Sequence, residues 1–105
     1  MAKKKNEQEA MEMSDMVLIR TYSAGVHFGK LVRRDGKEVE LADARRLWSW
    51  EEACSLSQVA VDGVGSQSRI SVPVPSVILT EAIEIIQMTQ RAVKNMTEEI
   101  EPWKI

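Results

Sequence analysis

The chain is short of the residues on which most catalysis is built. It has one cysteine, Cys54, so no disulfide can form within it, and one histidine, His27. One histidine and one cysteine cannot close a metal site without carboxylates at suitable spacing, and Glu81 and Glu84 fit no metal or glycosidase pattern. A Cys54–His27 nucleophilic pair would join two separate elements with nothing to orient the imidazole. A small buried thiol and a satisfied histidine are the simpler reading. Phosphate-binding glycine loops and dinucleotide fingerprints are missing too. No apolar run reaches the roughly 20 residues of a membrane span. The first fifteen residues carry three lysines but no apolar segment of a secretory signal. These absences predict a cytoplasmic, non-enzymatic protein that uses no cofactor or metal.

Strong net charge is also lacking. Fourteen basic against sixteen acidic residues leave a formal charge of -2, too little to recruit nucleic acid or an acidic membrane. The distribution is uneven, however. Residues 16–50 hold Arg20, Lys30, Arg33, Arg34, Lys37, Arg45 and Arg46 against Asp35, Glu38, Glu40 and Asp43, while the C-terminal part is acidic. With 105 residues, 44% of them apolar, one domain can bury about two-thirds of its unfolded surface.

Residues 1–15 are polar and of mixed charge, which predicts a flexible tail ahead of a single domain at 16–105. Met16 to Tyr22 reads as a strand, Ser23-Ala24-Gly25 as a turn, and Val26 to Arg34 as a second strand. Asp35-Gly36 is a two-residue hairpin signal. Taken literally, it sets Val32 opposite Val39, Arg33 opposite Glu38 and Lys30 opposite Leu41. Val26, Phe28, Val32, Val39 and Leu41 then share a core face, and His27, Gly29, Leu31, Arg33, Glu38 and Glu40 a mostly wet one.

Ala44 to Trp50 reads as a strand with Arg46, Trp48 and Trp50 on one face. As a helix the tryptophans Trp48 and Trp50 would diverge by about 200°. Ser55 to Gln58 fits a capping box, opening a short helix that stops near Gly63. Arg69 to Val74 is a short edge strand, since Pro73 and Pro75 cannot donate ladder bonds. Val77 to Met88 suits either a strand or a helix; its isoleucine and valine content favours a strand, with Thr89 capping a C-terminal helix. Trp103 is expected to pack back on the domain or to anchor a neighbouring subunit. The fold class is therefore α+β. It comprises a small antiparallel or mixed sheet with β-hairpins, one short helix after the third or fourth strand, and a C-terminal helix.

Recognition is the function this inventory suits. The stretch from Arg20 to Gly29 concentrates a base, hydroxyls, a phenol, two glycines and the histidine. Arginine forks match phosphate or carboxylate oxygens, and aromatic faces stack on flat rings. Arg20 and Tyr22, His27, Arg45, Arg46 and Trp48 are the candidate ligand contacts, with Gly25 and Gly29 where backbone can approach a ligand. A small, flat, negatively charged ligand such as a nucleotide fits them. The alternative is that the tryptophans are core and the arginines are solvated or ion-paired. Three tryptophans, an aliphatic C-terminal run and a proline-bearing edge predict a homo-oligomer.

At RTYSAGVHFG (20–29), ARRLWSW (44–50), SLSQVAVDGV (55–64) and VPVPSVILTEAIEI (72–85) the sequence resembles a family of small bacteriophage and prophage proteins of unknown function. The resemblance covers residues 16–90 and implies a phage product acting in the cytoplasm of a bacterial host, with no catalytic residue to carry over. In that setting two roles are expected. One is an anti-defence sponge that sequesters a cyclic nucleotide or oligonucleotide immune signal in an oligomer. The other is a protein–protein module that inhibits a host protein or supports phage assembly.

Overall fold

A computed structural model describes the structure of residues 12–103. The elements are β1 (Met13–Thr21), β2 (Val26–Asp35), β3 (Glu38–Ser49), α1 (Leu56–Asp62), β4 (Arg69–Ile70), β5 (Val74–Leu79), β6 (Ala82–Thr89) and α2 (Gln90–Lys94), which runs on into a wider π-type turn at Asn95–Glu99. The fold is α+β, with a six-stranded sheet, all of whose pairings are antiparallel, a short helix after the third strand and a C-terminal helix. No helix among the described residues is long and apolar enough to cross a membrane.

The strand order is β4-β3-β2-β1-β6, and β5 lies beside β3 on the same edge as β4. In a flat sheet four strand spacings, about 19 Å, would separate β5 from β6. Yet only Thr80 and Glu81 join them, and a chain from Leu79 to Ala82 reaches at most about 11 Å. The sheet must therefore curl until its two ends meet. One backbone bond fastens that closure, from the Ala82 amide to the Lys37 carbonyl at 3.0 Å.

Curling makes two cores. Inside the curl lie Val17, Ile19, Val39, Leu41, Ala44, Leu79 and Ala82. On the outside, Met16, Leu18, Phe28, Leu47 and Met88 are covered by Val59 and Ala60 of α1 and by Ala92 and Met96 of the C-terminal helical segment. Both faces of β1 are thus dry, which is why Met16 to Ile19 is an unbroken apolar run rather than an alternation. Ser55 caps α1 by accepting from the Gln58 amide, while the Gln58 side chain accepts from Cys54. Thr89 caps α2 through the Ala92 amide at 3.1 Å, so Val77 to Met88 is extended chain as expected, divided by Thr80-Glu81 into two strands.

Several sequence expectations need correction. The tight turn is Gly36-Lys37, which pairs Asp35 with Glu38, Arg34 with Val39 and Lys30 with Ala42. Gly36 alone has positive φ, +59°, as in a II′ turn with glycine at its first central position; an Asp-Gly turn of type I′ would also need positive φ at Asp35. Register shifts between Phe28 and Lys30 and between Leu31 and Arg33 then break the alternation. As a result Val32 is 56% exposed, and Phe28 belongs to the outer core while Val39 and Leu41 belong to the inner one. His27 and Gly29 are buried rather than wet, because this part of β2 has apolar matter on both sides.

Ala44 to Trp50 is not a separate strand but the continuation of β3, and Trp50 packs against the outer core rather than beside Trp48. β1 begins at Met13, three residues before its expected start at Met16; residues 1–11 of the expected tail lie outside the described residues. The strand expected at Arg69–Val74 is two strands, β4 and β5, on successive lengths of β3.

Candidate functional site

Four of the eight candidate residues come together. His27 of β2 and Arg45, Arg46 and Trp48 of β3 line a shallow groove of about 240 Å³, completed by Ala44 and by Ser71, Val74 and Val77 from the β4–β5 strip. The register explains the assembly. Arg46 stands across from His27, and Ser71 locks to Arg46 from the other side, its hydroxyl accepting from the Arg46 amide at 2.8 Å and its amide donating to the Arg46 carbonyl at 2.9 Å.

The β1–β2 turn forms one end of this arrangement. The Ala24 carbonyl accepts from His27 Nε2 at 2.9 Å and from an Arg46 Nη at 3.1 Å. A carbonyl only accepts, so Nε2 carries the proton and Nδ1 of the neutral ring is left with its lone pair. Burial holds the His27 pKa below its ordinary value; the Ala24 bond opposes this and the Arg46 charge adds to it. Thr21 fixes the same turn, its hydroxyl donating to the Gly25 carbonyl at 2.7 Å and accepting from the Ala24 amide at 2.9 Å. Gly25 supplies the left-handed residue, φ +83°. Much of the polarity between Arg20 and Gly29 therefore builds a turn.

Arg45 stands opposite Phe28, so its side chain leaves the other face of β3 from Arg46. Its Nη1 is buried with no hydrogen-bond partner among the described residues. Burial pulls the guanidinium pKa down, and only the nearby Asp43 charge works against that. No carboxylate among the described residues lines the groove, so Arg46 makes its polar end cationic.

Trp48, 41% exposed, is braced from behind. The Trp103 ring meets it edge-on at 4.5 Å and 87°, the Arg69 guanidinium lies 4.8 Å over Trp103, and the Trp103 amide donates to the Ile70 carbonyl at 2.7 Å. Trp103 thus packs back on the domain. Sequence reading did not find Ser71, Val74, Val77 or the Arg69–Trp103 brace in this site. The signal was Pro73, which divides one apparent strand into two that both pair with β3.

The other candidates lie elsewhere. Arg20 is paired with Glu84 of β6 at 3.0 Å, and Tyr22, 78% exposed, lines a different groove with Lys37, Glu81 and Ile83. Gly29 admits the chain's own backbone. A Cβ there would stand 2.8 Å from the Ala42 carbonyl oxygen and 3.0 Å from Ala44 Cα, where β3 bulges at Asp43 with φ +50°. Cys54 is exposed beside the α1 cap, and no group of three potential metal ligands occurs among the described residues.

A family model described as a domain of unknown function (DUF6948) matches residues 14–96. No curated protein and no solved structure matches the chain.

Proposed function

The chain belongs to the DUF6948 family of domains of unknown function, and from that premise we propose that it is a non-enzymatic binding domain whose His27–Arg46 groove receives a planar anion of the nucleotide class. The observation that carries this reading is Arg46 and Trp48 on one face of β3, beside His27, in a groove that no carboxylate among the described residues lines. Arg46 offers a phosphate oxygen charge-assisted donors, and the partly open Trp48 ring offers a stacking face for a base. Binding without turnover fits a histidine whose Nε2 proton is already given to a carbonyl.

A groove of about 240 Å³ is small for a site that encloses its ligand, which typically needs about 300–1,000 Å³. Val72 and Val74 at its rim are 43% and 44% exposed. A second protomer seated on that rim would close the site, giving a homo-oligomer with ligand held between subunits. In the phage setting implied by sequence resemblance, this is a sponge for a cyclic nucleotide signal. The same exposed rim favours a second reading, a docking surface for a host or phage protein.

Isothermal titration with cyclic di- and trinucleotides, cyclic ADP-ribose isomers and mononucleotides tests the proposal. Arg46→Met keeps the aliphatic stem and removes the charge. It should change the melting temperature of the free protein little and weaken binding of the best ligand at least tenfold. Absence of heat and of thermal stabilisation across the whole panel would sink the nucleotide reading. Recovery of a host protein by wild type and not by Val74→Glu would then support the second.

A further inference from the structure

The open seam of the curled sheet is a second recognition surface, lined by no residue of the His27–Arg46 groove. We propose that the free edge of β6 accepts an extended, acidic segment of a partner protein as an added strand.

The topology leaves this edge unpaired. β6 pairs with β1 alone among the described residues, and β2 beyond Lys30 pairs with β3 alone, since β1 reaches only Val26–Lys30. Between these edges runs a groove of about 540 Å³ lined by Arg34, Gly36 and Lys37 on one side and by Ala82–Ile85 on the other. It continues into a smaller hollow of about 250 Å³ that shares Lys37 and Ile83 and reaches Tyr22. One backbone bond in the style of strand addition is already present there, from the Ala82 amide to the Lys37 carbonyl. Further rungs along Ile83–Gln87 would extend it.

The edges of this sheet are not equally protected. The opposite edge carries Pro73 and Pro75, which deny a neighbour its ladder bonds, and β2 has a register shift and two arginines at its exposed end. β6 is eight residues long with no proline, lysine or arginine, and its Ile83 is 49% exposed. Such an edge invites pairing unless a partner takes it.

Charge selects the partner. Of the seam's acids, Glu84 is paired with Arg20 at 3.0 Å, while Glu81 accepts from the Ser23 hydroxyl at 3.0 Å and keeps its charge. The unpaired bases outnumber it. Arg34 donates only to the Gly36 carbonyl, and neither Arg34 nor Lys37 joins any of the ion pairs among the described residues. An entering strand therefore finds backbone groups and Ile83 on one side and two uncommitted cations on the other. Carboxylates alternating with branched apolar residues suit both.

The test uses a fluorescein-labelled ten-residue peptide of alternating valine and glutamate, read by anisotropy. It should bind wild type, and the lysine-for-glutamate peptide should bind at least tenfold more weakly. Arg34→Glu with Lys37→Glu, both exposed, should reverse that preference while the melting temperature holds. Methylating alternate backbone nitrogens of the valine–glutamate peptide should abolish binding, and hydrogen exchange should slow at Ile83–Gln87 on addition of the unmethylated form. Equal binding of the methylated peptide would reduce the seam to a charged patch and overturn the proposal, as would no binding at millimolar peptide. A dimer that Ile83→Glu dissociates would overturn it differently, by giving the edge to a second copy of the chain. None of these outcomes depends on Arg46, so failure here and failure of the nucleotide reading are separable.

Discussion

His27 and Arg46 stand directly opposite each other on β2 and β3 and converge on one acceptor, the Ala24 carbonyl, at 2.9 and 3.1 Å. Through Arg46 the pair ties the β1–β2 turn to β3. It also sets a positive charge beside an imidazole that burial already keeps neutral.

Acidification should therefore weaken the fold through His27. Its folded pKa lies below the ordinary 6.5, so the unfolded chain binds the proton more readily. The contribution is complete above about pH 6.5, declines as pH falls from there, and is gone below the folded pKa. Thermal melts from pH 7.5 to 5 should show a fall in Tm for wild type that is shallower in His27→Gln, whose amide can still donate to Ala24. Equal slopes would show that carboxylates alone carry the pH dependence.

Gly29→Ala should destabilise by about 1–3 kcal/mol, because the new methyl meets β3 backbone rather than a movable side chain. Gly36→Ala meets open space and should cost only its left-handed conformation, about 1–2 kcal/mol. Denaturant midpoints compare the two. A neutral Gly29→Ala would mean that the Asp43 bulge relaxes freely.

Phe28→Ala should cost about 3–5 kcal/mol, the range for removing a fully buried aromatic. Val32→Ala should stay within about 0.5 kcal/mol, as expected of a residue 56% exposed. Comparable losses at both sites would restore the single-face hairpin that the alternation of β2 suggests.

That contrast marks what the sequence can and cannot reveal. Strand content, the Ser55 and Thr89 caps and the α+β class follow from local chemistry that needs no distant partner. The register of β2 on β3 depends on which residue takes positive φ, and a shift of the turn from Asp35-Gly36 to Gly36-Lys37 moves every pair. His27 reads as wet because period-two alternation assumes one dry face, whereas the curl gives the sheet two. Arg45, Arg46 and Trp48 are legible as a cluster because they are neighbours in one strand. Ser71 and Val74 are not, since β5 reaches β3 only through long-range pairing.

Trp48 and Trp103 should be energetically coupled. Their edge-to-face contact at 4.5 Å is the kind worth about 0.5–1.5 kcal/mol beyond area burial. Trp48→Ala, Trp103→Ala and the double variant form a cycle whose interaction energy should fall in that range; additive losses would mean that the rings merely coincide in space. The coupling bears on the groove as well. With Trp103 gone, Trp48 keeps its place in β3 but loses the ring, itself held by Arg69 and by the Ile70 carbonyl, that fixes its indole. Its fluorescence should then shift to the red, and any nucleotide that stacks on it should bind more weakly in Trp103→Ala while the enthalpy of phosphate contact at Arg46 persists. A nucleotide bound with unchanged affinity in Trp103→Ala would show that the ligand meets the arginines but not the indole.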